Sequence, residues 1–231
     1  MQIFFGMCIV LCLYVSGTRV DNDFRQTDKQ MNVLFMQRQD HPAYGKHHGM
    51  SEREWWLDFH YRLFTAAGYH GSADSLVPMS VALIKHFAAD SSTIRETLPH
   101  AVECLESFKR RGMILGLVSN CSDLMIPTLK QLELYSYFDF FEYSAGSGLE
   151  KPDPRMYKQA LRAAGGVDPT DAGHVGDELI PDYFAPRTIG MKSFLFDPTR
   201  RYADDDLKDV DKGCVVNDLS ELPQLIDVMK S

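Results

Sequence analysis

The hydrophobic positions of the chain follow two rhythms, and the change comes near residue 98. Beyond it, continuous apolar runs alternate with amphipathic stretches. Residues 113–118 read Met-Ile-Leu-Gly-Leu-Val, which predicts a strand buried on both faces. Similar runs at residues 138–143, 172–175, 192–196 and 214–216 predict further strands. The stretches between them carry apolar residues at helical spacing. They predict helices over residues 99–111, opened by Pro99 and stopped by Gly112, over 123–134, and from Pro154 to about 164. Two more are predicted between 177 and 189 and over 218–229. Such alternation predicts an α/β fold, a Rossmann-like parallel sheet flanked by helices.

Before residue 98 the rhythm is helical. Phe24, Met31, Leu34 and Phe35 are spread through polar residues 23–39 as on a surface helix. Ser51-Glu52-Arg53-Glu54 is a capping box opening a helix that carries Trp55, Trp56, Phe59 and Leu63 and stops at Gly68. Another helix is expected over residues 74–87. Between the first two, residues 41–49 hold Pro42, Gly45, Gly49 and His41, His47 and His48. No cysteine or carboxylate joins these histidines at ligand spacing, so a surface loop is expected rather than a metal site. The expected domains are therefore an apolar segment at 1–18, a helical cap at 19–95 and a Rossmann-like core at 96–231.

The apolar N-terminal segment supports two readings. Residues 3–15 are rich in β-branched and aromatic side chains, as in a buried central strand. They also resemble a signal-peptide core, with Val15-Ser16-Gly17 suited to cleavage, although no Lys or Arg precedes them. The run is too short for a transmembrane helix, so no stable membrane span is expected. Of the cysteines, Cys8 and Cys12 lie in this run, and their spacing without a nearby histidine reads as buried thiols. Cleavage after Gly17 would leave Cys104, Cys121 and Cys214, an odd set for internal disulfides.

With 45% hydrophobic and 24% charged residues among 231, the chain is long enough for a real core. Its net charge of −8 excludes nucleic acid as the main partner, because nothing would neutralise phosphates in bulk. A local site for a small phosphorylated metabolite is compatible with that charge. Oligomeric state is not legible.

Candidate chemistry collects where predicted strands end, the usual place for sites in open α/β sheets. Ser119-Asn120 follows the strand at 113–118, where a hydroxyl and backbone N–H groups can hold a phosphoryl oxygen. Lys151, in Gly148-Leu-Glu-Lys-Pro-Asp-Pro154, follows the next strand and can balance phosphoryl charge. Asp177 and Asp182, in His174-Val-Gly-Asp-Glu-Leu-Ile-Pro-Asp182, follow a third and suit Mg²⁺.

In this order, the groups resemble the haloacid dehalogenase-like hydrolase superfamily. Ser119 matches its second motif, Lys151 its third, and Gly176-Asp177 through Asp182 its fourth. The resemblance spans about residues 24–225 and implies a Mg²⁺-dependent phosphatase-type cleft. It also implies a cap inserted after the first strand and an intracellular location in cytoplasm, nucleus or mitochondrion. The secretory pathway is the alternative if the first 17 residues are a signal peptide.

The family's first motif is an apolar strand ending in Asp-x-Asp, whose first acid attacks phosphorus and whose second protonates the leaving group. That pair is missing or degenerate here. Asp21-Asn22-Asp23 has two acids but no apolar strand before it. Tyr14-Val15-Ser16-Gly17-Thr18 follows the apolar run, with Tyr14 and Ser16 where acids belong. The resemblance places the first strand mid-sheet, and part of residues 3–15 is expected to fill that slot. Three functions remain open. They are a phosphatase, impaired in this form and with weakened Mg²⁺ affinity, a non-catalytic phosphate- or metal-binding relative, and a truncated or alternative-start form of an active hydrolase.

Overall fold

The computed structural model describes residues 2–5, 11–13, 24–89 and 95–228. Its centre is a six-stranded sheet in which every neighbouring pair is parallel. In chain order the elements are β1 (Gln2–Phe5), β2 (Leu11–Leu13), α1 (Phe24–Asp40), α2 (Glu52–Ala66), α3 (Ala73–Ala89) and β3 (Arg95–Thr97). They continue with α4 (Ala101–Arg110), β4 (Leu115–Ser119), α5 (Met125–Gln131), β5 (Phe140–Tyr143) and α6 (Pro154–Ala163). Last come β6 (Ala172–Gly176), β7 (Lys192–Phe196), β8 (Val215–Val216) and α7 (Leu222–Val228). The strand order is β5-β4-β1-β6-β7-β8.

β1 fills the middle slot. Phe5 pairs with Leu117 on one side and Val175 on the other, so the front of the apolar segment joins β4, which carries Ser119, to β6, which Asp177 directly follows. The remaining expectations for this segment fall on Cys8, Tyr14, Ser16, Thr18, Asp21 and Asp23, which lie outside the described residues.

Both faces of the sheet are buried, as its apolar strands require. Leu115 and Leu117 pack with Phe108, Phe194, Phe196 and Leu222 on one face. Val118 and Ala172 pack with Met156, Tyr157, Ala160 and Leu161 of α6 on the other. Gly116 leaves room for the Phe140 ring, whose tip would stand 2.0 Å from a Cβ at that position. Cys104, Cys121 and Cys214 are buried free thiols.

The helices α1–α3 lie between β2 and β3, which pair antiparallel as a separate ribbon. Ser51 closes its capping box in full: its hydroxyl accepts from Glu54 N at 3.2 Å, and Glu54 Oε2 accepts from Ser51 N at 2.7 Å. Trp55 is the buried anchor of this unit, with Tyr44 at 4.6 Å and Phe59 at 5.7 Å between ring centroids. Among the described residues, no helix is long and apolar enough to cross a membrane.

Several expected elements are shorter or shifted. The strand expected from residue 113 begins at Leu115, and α5 covers only Met125–Gln131 of the expected 123–134. Glu133 takes a left-handed conformation and breaks that helix, an event that apolar spacing does not report. The single helix expected between 177 and 189 is a wide turn over Leu179–Phe184 followed by a short helix, Ala185–Arg187. α7 begins at Leu222 rather than 218, because Asp218 turns the chain first by accepting from Ser220 N at 2.8 Å.

Candidate functional site

β4 delivers Ser119, which is buried, to the carboxyl end of the sheet. The next residue, Asn120, acts on the backbone. Its Nδ2 donates to Lys151 O at 2.8 Å and its Oδ1 accepts from Lys151 N at 2.6 Å. Both faces of the Lys151 peptide are thereby tied to the end of β4. Ser119 and Lys151 are held together by this clamp although they are far apart in sequence.

The Lys151 side chain is only 5% exposed, and its Nζ donates to Asp182 Oδ1 at 2.6 Å. The same oxygen meets His174 Nε2 at 2.8 Å, while Asp182 Oδ2 accepts from Glu178 N at 3.0 Å. Burial by itself would raise the Asp182 carboxyl, but the Lys151 ammonium and the His174 hydrogen bond outweigh it and hold it far below the usual range. Burial likewise lowers His174, which is neutral at pH 7. A neutral ring beside an ionised carboxylate donates through Nε2, leaving Nδ1 without a partner. Tyr157 stands edge-on to His174 at 5.4 Å and hydrogen-bonds the Pro181 carbonyl.

Gly176 makes this possible. A Cβ there would lie 2.0 Å from Asp182 Cγ, so only glycine lets the carboxylate tuck under the end of β6. Asp177, next in sequence, faces elsewhere. Its Oδ2 accepts from Arg201 Nη2 at 3.0 Å, and its carbonyl accepts from Arg201 and from Tyr202 OH, the latter at 2.8 Å.

This geometry bears on the Mg²⁺ expected at Asp177 and Asp182. Mg²⁺ needs oxygens free to coordinate it. Asp182 already receives three donors, one an ammonium, and Asp177 is paired with a guanidinium. Among the described residues, no group of three or more His, Cys, Asp or Glu could hold a metal ion. The described residues do not fit a Mg²⁺ site.

His174, Asn120's clamp and Arg201 are the parts that sequence reasoning missed. A histidine inside an otherwise apolar strand was the available signal for His174. Arg201 had none, because it reaches Asp177 from a loop beyond β7. Cys121 also stands beside Ser119, but burial pushes its thiol up to about 12, so it is no thiolate at neutral pH.

The helical unit closes over this end of the sheet. Arg38 pairs with Glu150, whose other oxygen accepts from Ala43 N at 2.9 Å. Lys46 donates to Ala145 O at 3.1 Å and to Gly146 O, and His47 meets the Gly148 carbonyl. Glu52 Oε2 accepts from Asp123 N at 3.0 Å. One cleft of about 510 Å³ beneath it is lined by Arg38, Asn120, Glu150, Lys151 and Glu178.

Comparison with known proteins agrees with this architecture. A family model described as haloacid dehalogenase-like hydrolase matches residues 16–190. Haloacid dehalogenase-like hydrolase domain-containing protein 3 of Homo sapiens is 35% identical over 183 residues, covering 79% of this chain and 69% of that protein. Glyceraldehyde 3-phosphate phosphatase of Pyrococcus furiosus is 31% identical over 139 residues, covering 60% of this chain and 56% of its own. Among solved structures, the L-2-haloacid dehalogenase from Xanthobacter autotrophicus superposes with a TM-score of 0.68 at 14% identity, over 98% of each chain. At that identity the likeness concerns the fold alone.

Proposed function

The chain belongs to the haloacid dehalogenase-like hydrolase family, and from that premise we propose that it binds phosphate monoesters in the cleft lined by Asn120 and Lys151, beside the end of β4 that carries Ser119, but turns them over poorly. Ser119 supplies a hydroxyl, Asn120 fixes the Lys151 backbone, and the Lys151 ammonium offsets phosphoryl charge. Asp182 and His174 hold that ammonium in place. A small phosphorylated metabolite is the ligand class, as the name of the Pyrococcus furiosus relative suggests.

One observation carries the reading of poor turnover. Phe5 pairs with residues that lie two positions before Ser119 and Asp177. In the sequence, Phe5 is followed by Gly6-Met7-Cys8, and no Asp or Glu occurs before Asp21. An attacking carboxylate is the group that phospho-aspartate chemistry needs after the central strand. Among the described residues, Asp177 is paired with Arg201 and Asp182 with Lys151, which leaves the proposed phosphate site resting on Lys151.

Incubation of the purified chain with 4-nitrophenyl phosphate and Mg²⁺ is expected to give no release above background. Calorimetry with inorganic phosphate is expected to show binding that Lys151→Ala removes. Turnover that disappears in Asp21→Asn would overturn the reading of impairment, and phosphate binding unchanged in Lys151→Ala would overturn the cleft.

A further inference from the structure

A second cavity, also of about 510 Å³, opens between the helical unit and the core. Its helical wall includes Tyr44, Trp56, Phe59, Leu63, Phe64 and Ile84. Its core wall is the chain that leaves β4, namely Asn120, Cys121 and Ser122, with Met125. The size falls within the range of roughly 300–1,000 Å³ found for small-molecule sites.

Among the described residues, the lining contains no Asp, Glu, Lys or Arg. Its titratable side chains stay uncharged at pH 7: burial lowers His60, and raises Tyr44 and Cys121. The rings meet at mixed angles, with Trp56 and Phe59 edge to face at 5.7 Å and Tyr44 tilted to Trp56 at 6.2 Å. Such walls offer faces and edges for an aromatic guest. Polar groups are few among them, namely Tyr44, His60, Asn120 and Ser122, so most of the water contacts of a polyhydroxylated or charged guest would go unreplaced.

Position adds the second half of the argument. Asn120 lines both this cavity and the cleft that contains Lys151. A molecule could therefore reach from the apolar cavity past Asn120 to the Lys151 ammonium. We propose that the ligand is a phosphate monoester with an uncharged aromatic or branched aliphatic body, the body seated in the aromatic cavity and the phosphoryl end in the adjoining cleft at Lys151. This assignment of ligand class rests on the phosphate-binding reading above. Within the small phosphorylated metabolites it ranks triose phosphates below such esters, because they have no apolar body to bury.

Calorimetric titration of the full chain with 1-naphthyl phosphate, 1-naphthol, glycerol phosphate and inorganic phosphate tests it. Burial of the naphthyl ring is expected to make 1-naphthyl phosphate bind about 100-fold more tightly than glycerol phosphate or inorganic phosphate. Leu63→Trp fills the cavity and is expected to shrink that ratio toward one. Ile84→Trp fills it from α3 and replaces Leu63→Trp if that variant does not fold. Equal affinity for the naphthyl and glycerol esters, or a ratio untouched by both filling variants, overturns the proposal. Failure of the phosphate cleft looks different: 1-naphthol still binds and is excluded by the filling variants, while the phosphoryl group adds no affinity. That result overturns the phosphate end of the proposal and the reading beneath it, and supports the apolar specificity of the cavity.

Discussion

Asp182 makes the most contacts of the site while almost fully buried. Its carboxylate holds Lys151, orients His174 and caps Glu178 N, all within a space that Gly176 leaves free. Removing one partner of a buried ion pair leaves the other charge without compensation, which costs about 3–5 kcal/mol. Asp182→Asn is therefore expected to lower stability by that order in urea denaturation at pH 7. Its folded carboxyl is held below the ordinary Asp value of about 3.9, so its contribution is complete above that pH and is lost as pH falls toward the folded value. The difference between wild type and Asp182→Asn should accordingly shrink below about pH 4. A difference that grows on acidification would show that Asp182 is not ionised in the folded protein. Of these residues, Ser119, Asn120, Lys151, Asp177 and Asp182 were readable from their places after apolar runs. The partner of each was not. Asp182 pairs with a lysine and a histidine where a cation was expected, because the turn after Gly176 aims it beneath the sheet while Asp177 points toward Arg201.

At the scale of elements, β1 decides the most. It pairs on both sides and has neighbours along its whole length, whereas β5 and β8 are edges. Proline at a central position deletes a ladder N–H and leaves its buried partner unpaired, so Phe4→Pro is expected to cost about 1–3 kcal/mol from that group alone, with strand strain in addition. Loss of the cooperative thermal transition, or a fall in its midpoint of many degrees, is the expected result. An unchanged transition would mean that Gln2–Phe5 is dispensable to the sheet. N-terminal sequencing of the mature protein adds an independent check, since a start at Thr18 removes β1 altogether. Helix and strand identities followed from apolar periodicity because both periods survive in the sequence. Helix ends were less legible where a left-handed residue such as Glu133, or the wide turn at Leu179–Phe184, interrupts a segment whose apolar spacing continues.

Across the whole molecule, side chains of the helical unit tie it to the end of the sheet where Ser119 and Lys151 stand. Glu150 anchors that contact, joined to Arg38 and Ala43 and directly preceding Lys151 in sequence. Glu150→Ala removes both bonds at once. It is expected to loosen the helical unit without unfolding the core, read as faster proteolysis within residues 41–50 at an unchanged global melting temperature. Unchanged cleavage would show that the remaining contacts through Lys46, His47 and Glu52 suffice.

The sequence by itself determined the α/β class, the helical unit, the parallel sheet and the strand ends that bear polar groups. These follow from local periodicity and from residue chemistry, which every segment carries with it. Only the tertiary structure decided which part of the apolar segment enters the sheet, since many of its residues are equally suited to a strand and the pairing partners choose. It also decided that Asn120 clamps Lys151, that Asp182 serves the lysine, and that an aromatic cavity adjoins the cleft. Each of these joins residues distant in sequence, and no local pattern records such a meeting.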